Sequence, residues 1–215
     1  IILVYLMKLF FILLLSLSNQ NHKELQTSLL ENYSATNIDS TVFLRLGIAI
    51  RAINNVDQIE GTITSNVWLR YYWNDKHLTW NPENYNNISQ MVLNTDPSLD
   101  QSIWTPDMYL YNTAEKPQEN LDYTRAVVQN NGDVFWSRPG LITSTCIFDL
   151  HLFPFDVQNC YLKFGSWVYN KQYLNLSMYS VSIDFDNYQQ HDGWEITSNR
   201  TEYTEEKYSC CPDFY

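Results

Sequence analysis

Glycine and proline are scarce in this chain, six and seven among 215 residues. Their scarcity argues against a disordered or low-complexity protein. Basic side chains are also few, 13 Lys and Arg against 24 Asp and Glu, so the formal charge is -11. Such a balance disfavours nucleic acid as a partner and raises the local concentration of cationic ligands. The four histidines, His22, His77, His151 and His191, have no metal-ligand spacing, and there is no catalytic motif. No metal, no cofactor and no enzyme activity are therefore expected. Beyond the first seventeen residues no apolar run is long enough to span a bilayer. No internal repeat or second-domain linker divides the chain.

What is present is a large apolar and aromatic fraction, 45% hydrophobic with 16 Tyr and 7 Trp, enough for a proper core. The first seventeen residues carry one charge. Met7-Lys8 is followed by the apolar run Leu9 to Leu15 and then by Ser16-Leu17-Ser18-Asn19-Gln20. A start at Met7 makes residues 1–20 a secretory signal region, with residues 1–6 upstream of it; the alternative is a membrane anchor. Either reading places the remainder outside the cytosol. Four glycosylation sequons, at Asn32, Asn87, Asn175 and Asn199, agree with that address, Asn175 falling inside an apparent strand.

Leu25, Leu29 and Leu30 predict one short amphipathic helix over His22 to Asn32. From Thr41 the period becomes two. Val42, Leu44, Leu46, Ile48 and Ile50 share one face, opposite Arg45 and Arg51. A turn region over Asn54 to Gly61 leads to a strand over 66–73, whose parity separates Trp68, Arg70 and Tyr72 from Val67, Leu69, Tyr71 and Trp73. Residues 79–106 are polar and turn-rich. Further strands are expected at Met108 to Asn112, Arg125 to Gln129, Val134 to Ser137 after the hairpin signal Asn130-Asn131-Gly132-Asp133, Tyr161 to Trp167, Leu174 to Tyr179 and Trp194 to Tyr203. The expected fold is all-β, an immunoglobulin-like sandwich of about ten strands with a short N-terminal helix.

Cys146 and Cys160 bracket thirteen residues containing the knot Phe153-Pro154-Phe155-Asp156. Outside the cytosol this pair reads as a disulfide closing a surface loop, and the apolar apex calls for a partner surface. Four cysteines nevertheless allow three pairings, and a bond between the adjacent Cys210 and Cys211 would close a strained small ring.

The segment from Cys146 through Asp149, Phe153-Pro154-Phe155-Asp156 and Gln158 to Cys160 resembles the signature loop of the Cys-loop pentameric ligand-gated ion channels. Three more stretches agree with that family: Val67-Trp68-Leu69-Arg70, Trp104-Thr105-Pro106-Asp107 leading to Tyr111-Asn112, and Phe164-Gly165-Ser166-Trp167-Val168-Tyr169. Tyr208-Ser209-Cys210-Cys211 through Tyr215 is similar to the vicinal-cysteine loop of α-type nicotinic acetylcholine receptor subunits and of the soluble acetylcholine-binding proteins. The resemblance covers roughly residues 22–215. It implies the disulfides Cys146 to Cys160 and Cys210 to Cys211, and a ligand site between neighbouring subunits of a ring of five.

By the same resemblance the principal face comprises Tyr111, Trp167, Tyr169, Tyr208, Cys210, Cys211 and Tyr215. The complementary face comprises Trp68, Arg70, Val127, Phe135 and Ser137. Phe153, Pro154, Phe155 and Asp156 form a coupling surface toward a membrane domain, while Asp107 and Lys163 position loops. The physical chemistry agrees: a quaternary ammonium has no proton to donate, so aromatic faces bind it, each worth roughly 0.5 to 2 kcal/mol when desolvated.

Two features depart from the family pattern. Its members continue into a final strand and four membrane helices, whereas this sequence stops at Tyr215, so a ligand-binding domain over 21–215 is expected without its last strand and membrane domain. Arg70 stands where many neuronal subunits are neutral, and is expected to repel a cation and favour the principal role.

The function implied is binding of acetylcholine or a related cationic amine by a nicotinic-type channel subunit, among homologous subunits at the extracellular, postsynaptic face of the plasma membrane. The alternative is a secreted acetylcholine-binding protein, whose loop tends to be polar where Phe153 to Phe155 is apolar. An aromatic-rich carbohydrate-binding sandwich would account for the Tyr and Trp content but for neither cysteine pair.

Overall fold

The computed structural model describes residues 20–36, 39–115 and 121–209. A helix, α1, covers residues 20–30. Leu25 and Leu30 are buried and Leu29 packs against the same core, the one-sided burial its spacing predicts. Beyond it, the Tyr33 hydroxyl donates to Asp75 Oδ2 (2.6 Å) and accepts the Trp104 N–H (3.0 Å), tying the helix end to the sheet.

Strands β1 (Val42–Asp57) and β2 (Thr62–Thr79) form an antiparallel hairpin. The turn expected from Asn54 onward begins later. Register shifts between Ile50 and Ala52 and between Ile53 and Asn55 accommodate the polar pair inside the ladder. In the turn itself Asp57 Oδ1 accepts the N–H groups of Ile59 and Glu60 (2.9 Å each), and Gly61 takes φ +67°. Alternation on β2 is as predicted: Val67, Leu69, Tyr71 and Trp73 are buried, and Trp68 faces out.

The other strands are β3 (Gln90–Leu93), β4 (Met108–Leu110), β5 (Ala126–Gln129), β6 (Asn131–Thr145), β7 (Phe164–Ser166) and β8 (Leu174–Met178). One sheet has the order β3-β5-β6-β2-β1-β8 and a second pairs β4 with β7. Strand β3 lies in the stretch read as turn-rich. Its four residues alternate, with Met91 and Leu93 buried, and it finds its ladder on β5. Strand β6 runs well past Ser137 through Pro139-Gly140. There it has outrun β5, and residues 121–122 flank it instead, an edge setting in which a missing N–H is tolerated.

Eight strands are thus present among the described residues, within the all-β sandwich expected. Residues 194–203, predicted as a strand, form no ladder. They are held to residues 180–183 by Asn199 Oδ1 accepting the Ile183 N–H (2.9 Å), by the Thr201 hydroxyl donating to Ser180 O (2.7 Å) and by one backbone bond, Thr201 N to Val181 O (3.2 Å). Polar side chains here take over the role of a strand partner.

The core lies between the two sheets. Trp136 and Tyr71 are its largest fully buried side chains, and Trp73 meets Trp104 edge-on with centroids 5.9 Å apart. Cys146 and Cys160 are bonded, with Cα atoms 5.2 Å apart. The loop they close is braced by Gln158, whose Oε1 accepts the Asp149 N–H (2.9 Å) and whose Nε2 donates to Asp149 O (2.8 Å). It is moored to the β1-β2 turn through Cys146 N to Gly61 O (2.8 Å). Phe153 and Phe155 are exposed at its apex, as the sequence predicts, and Ile59 is exposed on the adjoining turn. Asn32, Asn87 and Asn199 are exposed, whereas Asn175 is half-buried in β8 opposite Phe43. All of the signal region except its last residue, Gln20, lies outside the described residues, and among the described residues no helix is long and apolar enough to cross a membrane.

Candidate functional site

Two aromatic surfaces stand out on the sandwich. On β4, Met108 and Leu110 point into the core, which turns Tyr109 outward and carries Tyr111 to the same side. Strand β7 brings the segment after Ser166 alongside. Asp107 fixes that segment: its carboxylate accepts the Ser166 hydroxyl (2.6 Å), the Trp167 N–H (3.0 Å) and the Val168 N–H (2.6 Å). Ser166 Oγ in turn accepts the Tyr169 N–H (2.8 Å), and the Tyr111 hydroxyl donates to Ser166 O (2.6 Å). The outcome is a Trp167 ring 68% exposed yet fixed at its backbone. Its centroid lies 4.9 Å from Tyr109 and 6.2 Å from Tyr111.

Gly165 is what lets the strands come this close, since a Cβ there would sit 2.8 Å from the Tyr111 ring. Lys163 bonds Glu206 (2.7 Å) with its ammonium 6.0 Å from the Tyr111 centroid. Tyr208 comes beside Tyr111, and the Tyr111 phenol is pushed up from its ordinary value, first by burial and then by Tyr208 and Asp107. Tyr109, Tyr111, Trp167 and Tyr208 are therefore one cluster, with the Lys163 to Glu206 pair at its edge. Asp107 and Lys163 hold loops, as expected of them.

The second surface is the outer face of the large sheet. Pairing places Arg70 opposite Ser137, Tyr72 opposite Phe135 and Phe135 opposite Val127, so these residues share one face with Trp68. The Tyr72 ring packs on Phe135 (4.9 Å) and stacks on Tyr179 (4.4 Å). Val127 and Phe135 line a groove of about 310 Å³ together with Phe43, Arg45 and Asp133. Arg70 Nη1 pairs with Asp184 Oδ2 at 2.7 Å. That pair corrects one expectation: Arg70 is balanced instead of standing as a bare repelling cation, and Asp184 is thereby tied to the sheet face.

The two surfaces are on opposite sides of the core. Trp68 and Arg70 project away from it on β2, while Trp73, one parity over, leads through Trp104 to Tyr169 beneath the β4-β7 sheet. One chain cannot close both aromatic sets on one small ligand.

Residues 22–215 match the model of the neurotransmitter-gated ion-channel ligand binding domain. The chain belongs to that family. It is a ligand-binding family and not an enzyme family. The chain is 36% identical over 179 residues to the neuronal acetylcholine receptor subunit alpha-2 of Homo sapiens, covering 83% of this chain and 33% of that one. It is 35% identical over 179 residues to the alpha-6 subunit of Pan troglodytes, covering 83% and 35%. It thus spans about a third of the length of these relatives.

Of the principal residues that the family resemblance implies, Tyr111, Trp167 and Tyr208 are brought together. Tyr169 instead packs on Trp104 and the core. Cys210, Cys211 and Tyr215, and with them the vicinal disulfide, lie outside the described residues. All five complementary residues fall on one sheet face. Sequence reasoning passed over Tyr109, although its parity with Tyr111 on a short strand was a usable signal. It also passed over Tyr179, for which no local pattern exists.

Proposed function

We propose that this chain is the extracellular ligand-binding domain of a nicotinic-type channel subunit. It binds acetylcholine or a related cationic amine between neighbouring homologous subunits of a pentamer, at the outer, postsynaptic face of the plasma membrane, and so gates ion flow. The observation that carries this reading is the split of aromatic surface onto opposite faces of one sandwich, with Tyr109, Tyr111, Trp167 and Tyr208 on one and Trp68 and Phe135 on the other. Rings from two chains desolvate an ammonium together, and each contributes roughly 0.5 to 2 kcal/mol.

The apolar tip Phe153-Pro154-Phe155 and the neighbouring Ile59 form the surface that transmits ligand binding to a membrane domain. That apolarity speaks for the receptor reading over a secreted binding protein, which has no membrane domain to meet. A comparison of acetylcholine with its uncharged carbon isostere, 3,3-dimethylbutyl acetate, tests the chemistry. The isostere is expected to bind at least about tenfold more weakly, since it keeps the shape and loses the charge. Equal affinities would mean that the aromatic faces recognise shape alone.

A further inference from the structure

Trp68 does not present a bare ring. The Arg51 guanidinium lies 4.4 Å from its centroid, within the range at which an indole face attracts a cation. Arg51 sits at the register shift between Ile50 and Ala52, and its Nη1 donates to the Asp186 carbonyl oxygen. The segment carrying that carbonyl is pinned along β1. Asp184 N donates to Ile48 O (3.0 Å), Ile50 N donates to Asp184 O (3.0 Å), and Gln189 N donates to Arg51 O (2.7 Å). The Asp184 carboxylate accepts the Asp186 N–H (2.7 Å) and pairs with Arg70 (2.7 Å). The Asp186 N–H first, then Arg70 and the field of Arg51, hold Asp184 below the usual carboxylate range.

The two guanidiniums on this face are held differently. Arg70 has a carboxylate partner in direct contact, whereas Arg51 is held by a carbonyl dipole and by the indole.

We propose that Arg51 is a built-in competitor for the Trp68 ring: its guanidinium occupies the aromatic face an ammonium ligand would use, and the turn at 184–186 keeps it there. An incoming cation meets a filled ring and a like charge together. Arg51 is thereby a specificity-determining residue that makes this chain's complementary face poor at binding quaternary ammonium, while the principal face is untouched. This inference rests on the ligand-site reading above.

Titration of the chain with tetramethylammonium, followed by NMR on the indole N–H signals, separates the two. The Trp68 and Trp167 signals are assigned by their loss in Trp68→Phe and Trp167→Phe, and the signal of buried Trp136 serves as the fold reference. In Arg51→Gln the Trp68 signal is expected to respond at about tenfold lower tetramethylammonium than in the parent chain. Arg51→Lys, which keeps a cation near the ring, stays close to the parent. Arg51→Met retains the aliphatic cover and replaces Arg51→Gln if the latter perturbs the Trp136 reference. A Trp68 response unchanged in both neutral variants, with Trp167 responding normally, overturns the role of Arg51 and leaves the site reading standing. A Trp167 signal that never responds overturns the site reading itself.

Discussion

Replacing Trp167 by Ala is expected to lower affinity for acetylcholine by about a hundredfold or more, with the fold intact. The ring is 68% exposed, so its removal opens no core cavity and falls among surface substitutions that shift stability by about 0.5 kcal/mol or less. The backbone it leaves keeps its three bonds to Asp107, because those come from Ser166 Oγ and from the N–H groups of 167 and 168. What disappears is the indole face, the strongest of the aromatic cation binders, together with the packing that orients Tyr109 and Tyr111 around it. Loss of about 2 kcal/mol from the ring and about 1 from its neighbours gives that hundredfold. Equilibrium binding of labelled acetylcholine beside a thermal melt checks both halves. Trp167→Phe, keeping a weaker aromatic face, should fall between. Normal binding by Trp167→Ala would show that the cluster on β4 and β7 is not where ligand sits.

Breaking the stapled loop should act on the fold and not on the ligand face. Cys146→Ser frees a loop whose ends are 14 residues apart in sequence, and for a loop of that size the lost constraint is about 3 kcal/mol. In a domain of this length that corresponds to a drop in melting temperature of about 6 to 12 °C. Cys146 is also buried at the end of β6, where its N–H bonds Gly61 O, so disorder in the loop spreads to the β1-β2 turn. Reduced secretion and assembly are expected to accompany the lower melting temperature. Cys160→Ser should match Cys146→Ser, and the double variant should be no worse than either, because all three remove the same bond. Strict additivity of the two single changes would mean that the cysteines act separately.

Much of this was legible in the residues. Two-residue alternation on β2 located both the core face and the Trp68 face, because a half-buried strand writes its environment into its parity. The Cys146 to Cys160 loop with its apolar apex was likewise visible, since bracketing cysteines are local in sequence. What was not legible depends on contacts made across the fold. Strand β3 is four residues long and exists because β5 pairs with it. Residues 194–203 look strand-like, but side chains of Asn199 and Thr201 hold them instead of a ladder. The charge on Arg70 looked exposed until Asp184, 114 positions away, came to lie against it. Arg51 could be placed on a strand face, but only the bulge beside it sets its guanidinium over Trp68.

The central claim is that the cation site is shared between two chains, and binding to separated assembly states tests it most directly. The chain, alone and co-expressed with a nicotinic partner subunit, is fractionated by size, and each fraction is equilibrated with labelled acetylcholine. High-affinity binding is expected only in the oligomeric fractions, and it should be lost when those dissociate. A monomeric fraction that binds acetylcholine with the affinity of the oligomer would contradict a site built from opposite faces of neighbouring subunits.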